Sequence, residues 1–368
     1  MNTLMIIVIL GVVVLGIFYA LKGSSEAEKD ELNYEINSLI EFAKRAVEDE
    51  LGTEYLGRDS LEYKRRERRK IQLKAALDRC TYGSLKDKMY VLSYLEDILT
   101  RAYDFTDETI DQVIPFSRKN RLTPRDKFDI LLYYYKEILK YRYSAFSVMV
   151  DKYGLHEPKF DEVEGEYHYT ITKEDIERVF DEEDIRLDLK DKIKIVTQRI
   201  YASHWGLGVI DELRDQKIDG ISGGVSGIPE EVAANLEIED VNFKVDENDR
   251  AHDSVWILFR GITTRLAFLS FETEEELRRV VFNVYAYGSP GQLNQSNGHK
   301  INEMADGSRV VALAPRLTES WAFFIRKFDA DLVDINKWFK KRKGFEDIDD
   351  NRELIIGWLE FLAKGART

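Results

Sequence analysis

The sequence predicts an α+β protein: an N-terminal transmembrane helix, then a helical region, then a domain of mixed helices and strands. Three observations carry this. The N-terminus is uncharged and apolar, helical periodicity runs from about Glu26 to Tyr153, and strand-like and helical runs follow His156 without strict βαβ alternation. The expected boundaries are 1–22 for the anchor, 23–155 for the helical region, 156–330 for the α+β domain and 331–368 for a helical linker.

From Leu4 to Leu21 the chain carries no charge. About 18 helical residues rise about 27 Å, close to the hydrocarbon thickness of a bilayer. Residues 1–3 hold no Lys or Arg, and the apolar run exceeds a usual signal-peptide core, so it reads as a retained anchor. The reduced cysteine and the absence of a basic N-terminus put the bulk of the chain in the cytoplasm, on the cytoplasmic membrane.

In EINSLIEFAKRAV and LKDKMYVLSYLEDILTRAYDF, apolar residues recur every three or four positions, as an amphipathic helix requires. One long helix is expected from Pro124, capped by Thr123, to a stop at Gly154. Its tyrosines (Tyr133, Tyr134, Tyr135, Tyr141, Tyr143) read as a packing surface with polar tips at the rim. KRRERRK (Lys64–Lys70) spreads charge round most of a helix, which gives a solvated face or a contact with anionic lipid headgroups.

After His156, EYHYTIT alternates like a strand, and Thr172 with Asp175 forms a capping box for the helix that follows. A further helix spans DLKDKIKIVTQRIYASHWGLG. VNFKV, SVWILFRG and TTRLAFLSF read as strands, and Thr273 caps a helix with Glu276 three residues on. RVVALAP and WAFFIRKF follow as strands, then the helical segments DADLVDINKWFKKRK and NRELIIGWLEFLAKG. The glycine-rich GISGGVSGIP (Gly220–Pro229) reads as a turn between helix and strand.

Composition narrows the function classes. With 44% hydrophobic and 33% charged residues, the chain is globular. A net charge of −14 argues against nucleic-acid partners, which need clustered cations. The single cysteine, Cys80, excludes an internal disulfide or a cysteine-based zinc site. The five histidines are scattered, without metal-ligand spacing, and no HExxH or nucleophile elbow occurs.

From about Ile195 to Thr368 the chain resembles the N-terminal domain and linker of the secretion and pilus-assembly ATPases, the motors of type II and type IV secretion and of type IV and tight-adherence pili. Four pieces carry the likeness in order: IYASHWGLGVIDELRDQKIDGISGGVSG, LSFETEEELRRVVFNVYAYG, MADGSRVVALAP and WAFFIRKF. The ending, LIIGWLEFLAKGART, is similar to the helix before the family's phosphate-binding loop. The resemblance implies a bacterial, hexameric motor working against an inner-membrane platform protein. It also implies a cleft in which arginines of this domain reach the phosphates of ATP. The matching positions are Arg309 and Arg326, with Lys327 as a third candidate.

Two departures stand beside the likeness. No Gly-Lys dipeptide occurs, so GxxxxGK[ST] is absent, and the chain is expected not to hydrolyse ATP alone. ATP and Mg²⁺ would bind only with a RecA-like motor domain supplied in cis or in trans, so the chain is either a fragment of a longer ATPase or one half of a split system. The anchor and the helical region are additions that the family does not explain. The alternative expectation is a non-enzymatic membrane adaptor that uses the same fold for protein docking.

Overall fold

The structure, a computed structural model, describes residues 33–53, 61–160, 167–225, 254–294, 296–318, 320–327 and 351–365. The expected span at 4–21, the VNFKV strand and the helix expected over 329–343 lie outside the described residues. Among the described residues no helix is long and apolar enough to cross a membrane.

The first elements of the described residues are α1 (Ile36–Gly52), α2 (Leu61–Thr81), α3 (Leu85–Ala102), α4 (Asp107–Val113) and α5 (Pro124–Tyr133). A π-turn (Tyr134–Ile138) and a 3-10 turn (Arg142–Ser144) separate α5 from α6 (Ala145–Tyr153). Strands β1 (Lys159–Phe160), β2 (Tyr167–His168) and β3 (Thr170–Ile171) lead to α7 (Lys173–Glu182), α8 (Leu189–His204) and a short α9 (Asp211–Arg214). Then come β4 (Gly220–Gly223), β5 (Val255–Phe259), β6 (Ile262–Leu266), α10 (Glu274–Tyr285), β7 (His299–Glu303), β8 (Arg309–Leu313), β9 (Ala322–Arg326) and α11 (Arg352–Gly365). The protein is thus α+β.

Two compact units form. One combines the described residues up to Leu131 with Phe180–Gly208, and the other combines Leu132–Val179 with the described residues from Val209 onward. The chain crosses between these units more than once.

The first unit is helical. Leu39, Ala43 and Val47 on α1, Val91, Leu95 and Leu99 on α3, and Ile193, Val196 and Ile200 on α8 recur at three- and four-residue steps and are buried. α8 packs against α1, α3 and α4. Within this core the Arg199 guanidinium reaches Asp126 at 2.8 Å and Asp129 at 2.6 Å. Burial works against the Arg199 charge, but Asp129 and Asp126 outweigh it and raise its pKa. Asp126 also accepts from the Thr123 N–H at 2.9 Å, which completes the cap of α5 ahead of Pro124.

The helix expected over 124–153 is broken. Lys140 (φ 65°) and Arg142 (φ 43°) take left-handed backbone, and the Tyr143 carbonyl accepts from Lys217 N–H at 2.7 Å. The Gln216 side chain accepts from Phe146 N–H at 3.2 Å and so starts α6. Gly154 (φ 63°) does end α6 as a left-handed cap. The tyrosines divide accordingly: Tyr133 and Tyr135 are buried, while Tyr141 and Tyr143 are exposed.

Among the described residues the second unit is built on a seven-stranded sheet in the order β3-β6-β5-β4-β9-β8-β7, and of these pairs only β3–β6 is parallel. α10 covers one face at β7, β8 and β9, burying Leu277, Val280, Val281 and Val284 against it. Thr273 caps α10 by accepting from Glu276 N–H at 3.2 Å. Thr273→Ala is expected to cost about 1 kcal/mol of unfolding free energy in a denaturant titration.

GISG is not a turn but the central strand β4, paired with β5 and β9. A Cβ at Gly220 would stand 2.5 Å from the Ile325 carbonyl oxygen, and one at Gly223 would stand 2.8 Å from the Phe271 and Phe323 rings. Close backbone approach, rather than chain reversal, is the reason for these glycines.

At the sheet edge the Asp175 carboxylate closes the α7 cap through Thr172 N–H at 2.7 Å and pairs with Lys159. Burial pushes this carboxyl up, but the Lys159 ammonium and the Thr172 donors outweigh it and hold its pKa below the ordinary value. A depressed carboxylate contributes stability that is complete above the unfolded pKa, near 3.9, and is lost as pH falls through the lower folded value. An Asp175→Asn variant is therefore expected to lose stability less steeply than wild type in acid, as read by unfolding titrations from neutral pH down to pH about 2.

Candidate functional site

The site begins at a tight turn. The Asp306 carboxylate accepts from Ser308 N–H at 3.0 Å, and Gly307 takes φ 82°. The Met304 N–H donates to the Ser308 carbonyl at 2.8 Å, so β7 is reversed into β8 directly before Arg309. β9 returns antiparallel, and its last residue, Arg326, stands opposite Arg309. The same row continues to Gly220 on one side and Glu303 on the other.

Side-chain alternation decides which way the arginines face. Val310, Ala312, Phe323 and Ile325 are buried, so Arg309 and Arg326, one step out of phase, share the opposite, solvent-facing side of the sheet. Directly opposed residues on one face have Cβ atoms about 5 Å apart, and like charges there repel. Among the described residues the Arg326 side chain has no ion-pair partner, and its neighbour on β4 is a glycine. The next row on this face is apolar, with Ile301 (73% exposed), Val311 and Phe324. Arg309 and Arg326 thus stand at directly opposed positions on the exposed side of β8 and β9, next to an apolar row.

Lys327 is placed differently. It is only 7% exposed, and its ammonium donates to the Arg214 and Gln216 carbonyls at 2.8 and 2.6 Å. Its own N–H donates to the Asp219 carbonyl at 2.8 Å. With its donors used on the backbone, Lys327 fixes the end of β9. Buried Arg214, which sequence reasoning missed, completes the brace: its guanidinium meets Asp306 at 2.5 Å and Asp215 at 3.3 Å. The segment 214–219 therefore holds both the turn that launches Arg309 and the strand end that bears Arg326. The charged run DELRDQK gave no spacing signal that could single out Arg214.

One carboxylate group, Asp211, Glu212 and Asp215, has ligand atoms within 4.8 Å of one another. Lys136 pairs with Glu212 and Arg214 with Asp215, so cations of the protein already meet much of this charge.

Compared with family models and with curated proteins, the chain matches none.

Proposed function

We propose that the chain is the membrane-anchored N-terminal portion of a secretion or pilus-assembly ATPase, in which Arg309 and Arg326 contact the phosphates of ATP. The observation that carries this reading is their direct opposition on the open face of the sheet. Guanidiniums at directly opposed positions can donate to the same multivalent anion from two strands. Bound ATP and Mg²⁺ would be cradled mainly by a RecA-like motor domain, in cis or in trans. The two guanidiniums add fixed positive charge where negative charge accumulates on the transferring phosphoryl group. Lys327 acts behind them as a positioning residue. Hexameric assembly, cytoplasmic placement, and a membrane platform that receives the force belong to the same reading, with residues 4–21 as the tether.

A second reading, a non-enzymatic adaptor, is favoured by α11. This helix leaves Leu354, Ile355, Trp358, Leu359, Phe361 and Leu362 exposed, a surface that calls for a protein partner. Titrating the full chain in detergent with ATP, with and without a family motor domain, separates the two. Nucleotide binding that strengthens when the motor is added, and weakens in the Arg309→Ala, Arg326→Ala double variant, supports the motor. Binding unaffected by the double variant overturns the phosphate role.

A further inference from the structure

Six of the seven residues Lys64–Lys70 are basic, against the lone Glu67, in a chain whose overall charge is −14. All seven lie on α2, where Lys64, Arg65, Arg68 and Arg69 are exposed. Among the described residues none of these four side chains forms an ion pair or hydrogen bond. Leu73, Ala76 and Cys80 bury one side of the helix. At the N-terminal end of the helix the steps 61, 64, 65 and 68 set Leu61, Lys64, Arg65 and Arg68 side by side, all exposed, and these form its outer face. Leu61 (66% exposed) and Ile71 (60% exposed) set apolar side chains beside the charges.

We infer that the outer face of α2 is a docking surface for the anionic phosphate headgroups of a bilayer. Unpaired cations on a folded helix meet lipid phosphates and carboxylates, while Leu61 and Ile71 enter the headgroup–acyl boundary. These exposed aliphatic side chains favour lipid over a nucleic acid: a phosphate backbone offers them nothing, and no exposed aromatic residue stands among the four cations for base stacking. The inference rests on the anchored reading of residues 4–21, which would keep α2 beside a membrane and make a weak surface contact effective.

The test is amide exchange over residues 61–72 in the full chain. It is incorporated into nanodiscs of phosphatidylcholine alone, or of phosphatidylcholine with phosphatidylserine. Slower exchange in the anionic discs, reversed by high salt, is expected. Arg65→Gln with Arg68→Gln should weaken that protection about 30-fold, since each charge near such a surface is worth about a factor of five. Equal exchange in both disc types overturns the inference, as does equal protection by RNA in the absence of lipid. If the chain fails to enter neutral discs, the anchor reading fails. Sedimentation with phosphatidylserine vesicles, wild type against the double variant, then reads the α2 surface independently: unequal binding upholds it and equal binding sinks it.

Discussion

On the proposed motor reading, Arg326→Ala is expected to lower ATP turnover of the assembled motor by about a hundredfold or more. That is the loss expected when one fixed donor to developing charge is removed from a transferring group. The fall should appear in kcat more than in KM, because charge on the phosphoryl oxygens grows towards the transition state. Arg326→Lys should recover only part of the rate, since an ammonium keeps the charge but loses the two-pronged grip. Arg309→Ala should act in the same direction, and the double variant should cost less than the product of the singles, because the pair opposes one ligand. Folding stability separates the two. Among the described residues Arg326 has only Gly220 and Arg309 beside it on its row, so Arg326→Ala should let the unfolding midpoint hold or rise slightly. Arg309 also faces Glu303, so Arg309→Ala should leave the midpoint level or slightly lower. Unchanged turnover with unchanged stability would mark both as ordinary surface residues.

The second large effect is structural. Arg199→Ala should cost about 3–5 kcal/mol, measured as a shift in the denaturant midpoint. Its guanidinium is buried and meets two carboxylates, so truncation leaves Asp126 and Asp129 without their shared counter-charge. Asp126 keeps its Thr123 cap bonds in that variant, so the α5 N-terminus should stay formed while its attachment to α8 is lost. A cost below about 1 kcal/mol would show that water replaces the arginine there.

What could be read in advance follows from locality. Caps depend on four neighbouring residues, and those at Thr123, at Thr172 with Asp175, and at Thr273 all form as the sequence implies. The alternation of RVVAL and AFFIR likewise shows which side chains each strand buries. The exact opposition of Arg309 and Arg326 needed the strand register, which local pattern does not contain. Distant partners account for the misses. The break between α5 and α6 is set by Gln216 and Lys217, seventy or more residues from the backbone groups they bind. β4 looks like a loop because glycine disfavours strands, yet the neighbouring strands leave no room for a Cβ. Lys327 was the third candidate that the resemblance implied, but successive strand residues point to opposite sides, and its ammonium donates to backbone carbonyls.

The glycine strand at the centre of the sheet also bears on how the protein is made. β5–β6 and β7–β8–β9 are each sequential, but among the described residues they meet only through β4, whose partner in β9 lies about a hundred residues downstream. Weak local preference and a distant mate imply that β4 waits, half paired with β5, until Arg326 has left the ribosome. Until then it offers an open strand edge of the kind that recruits chaperones or aggregates.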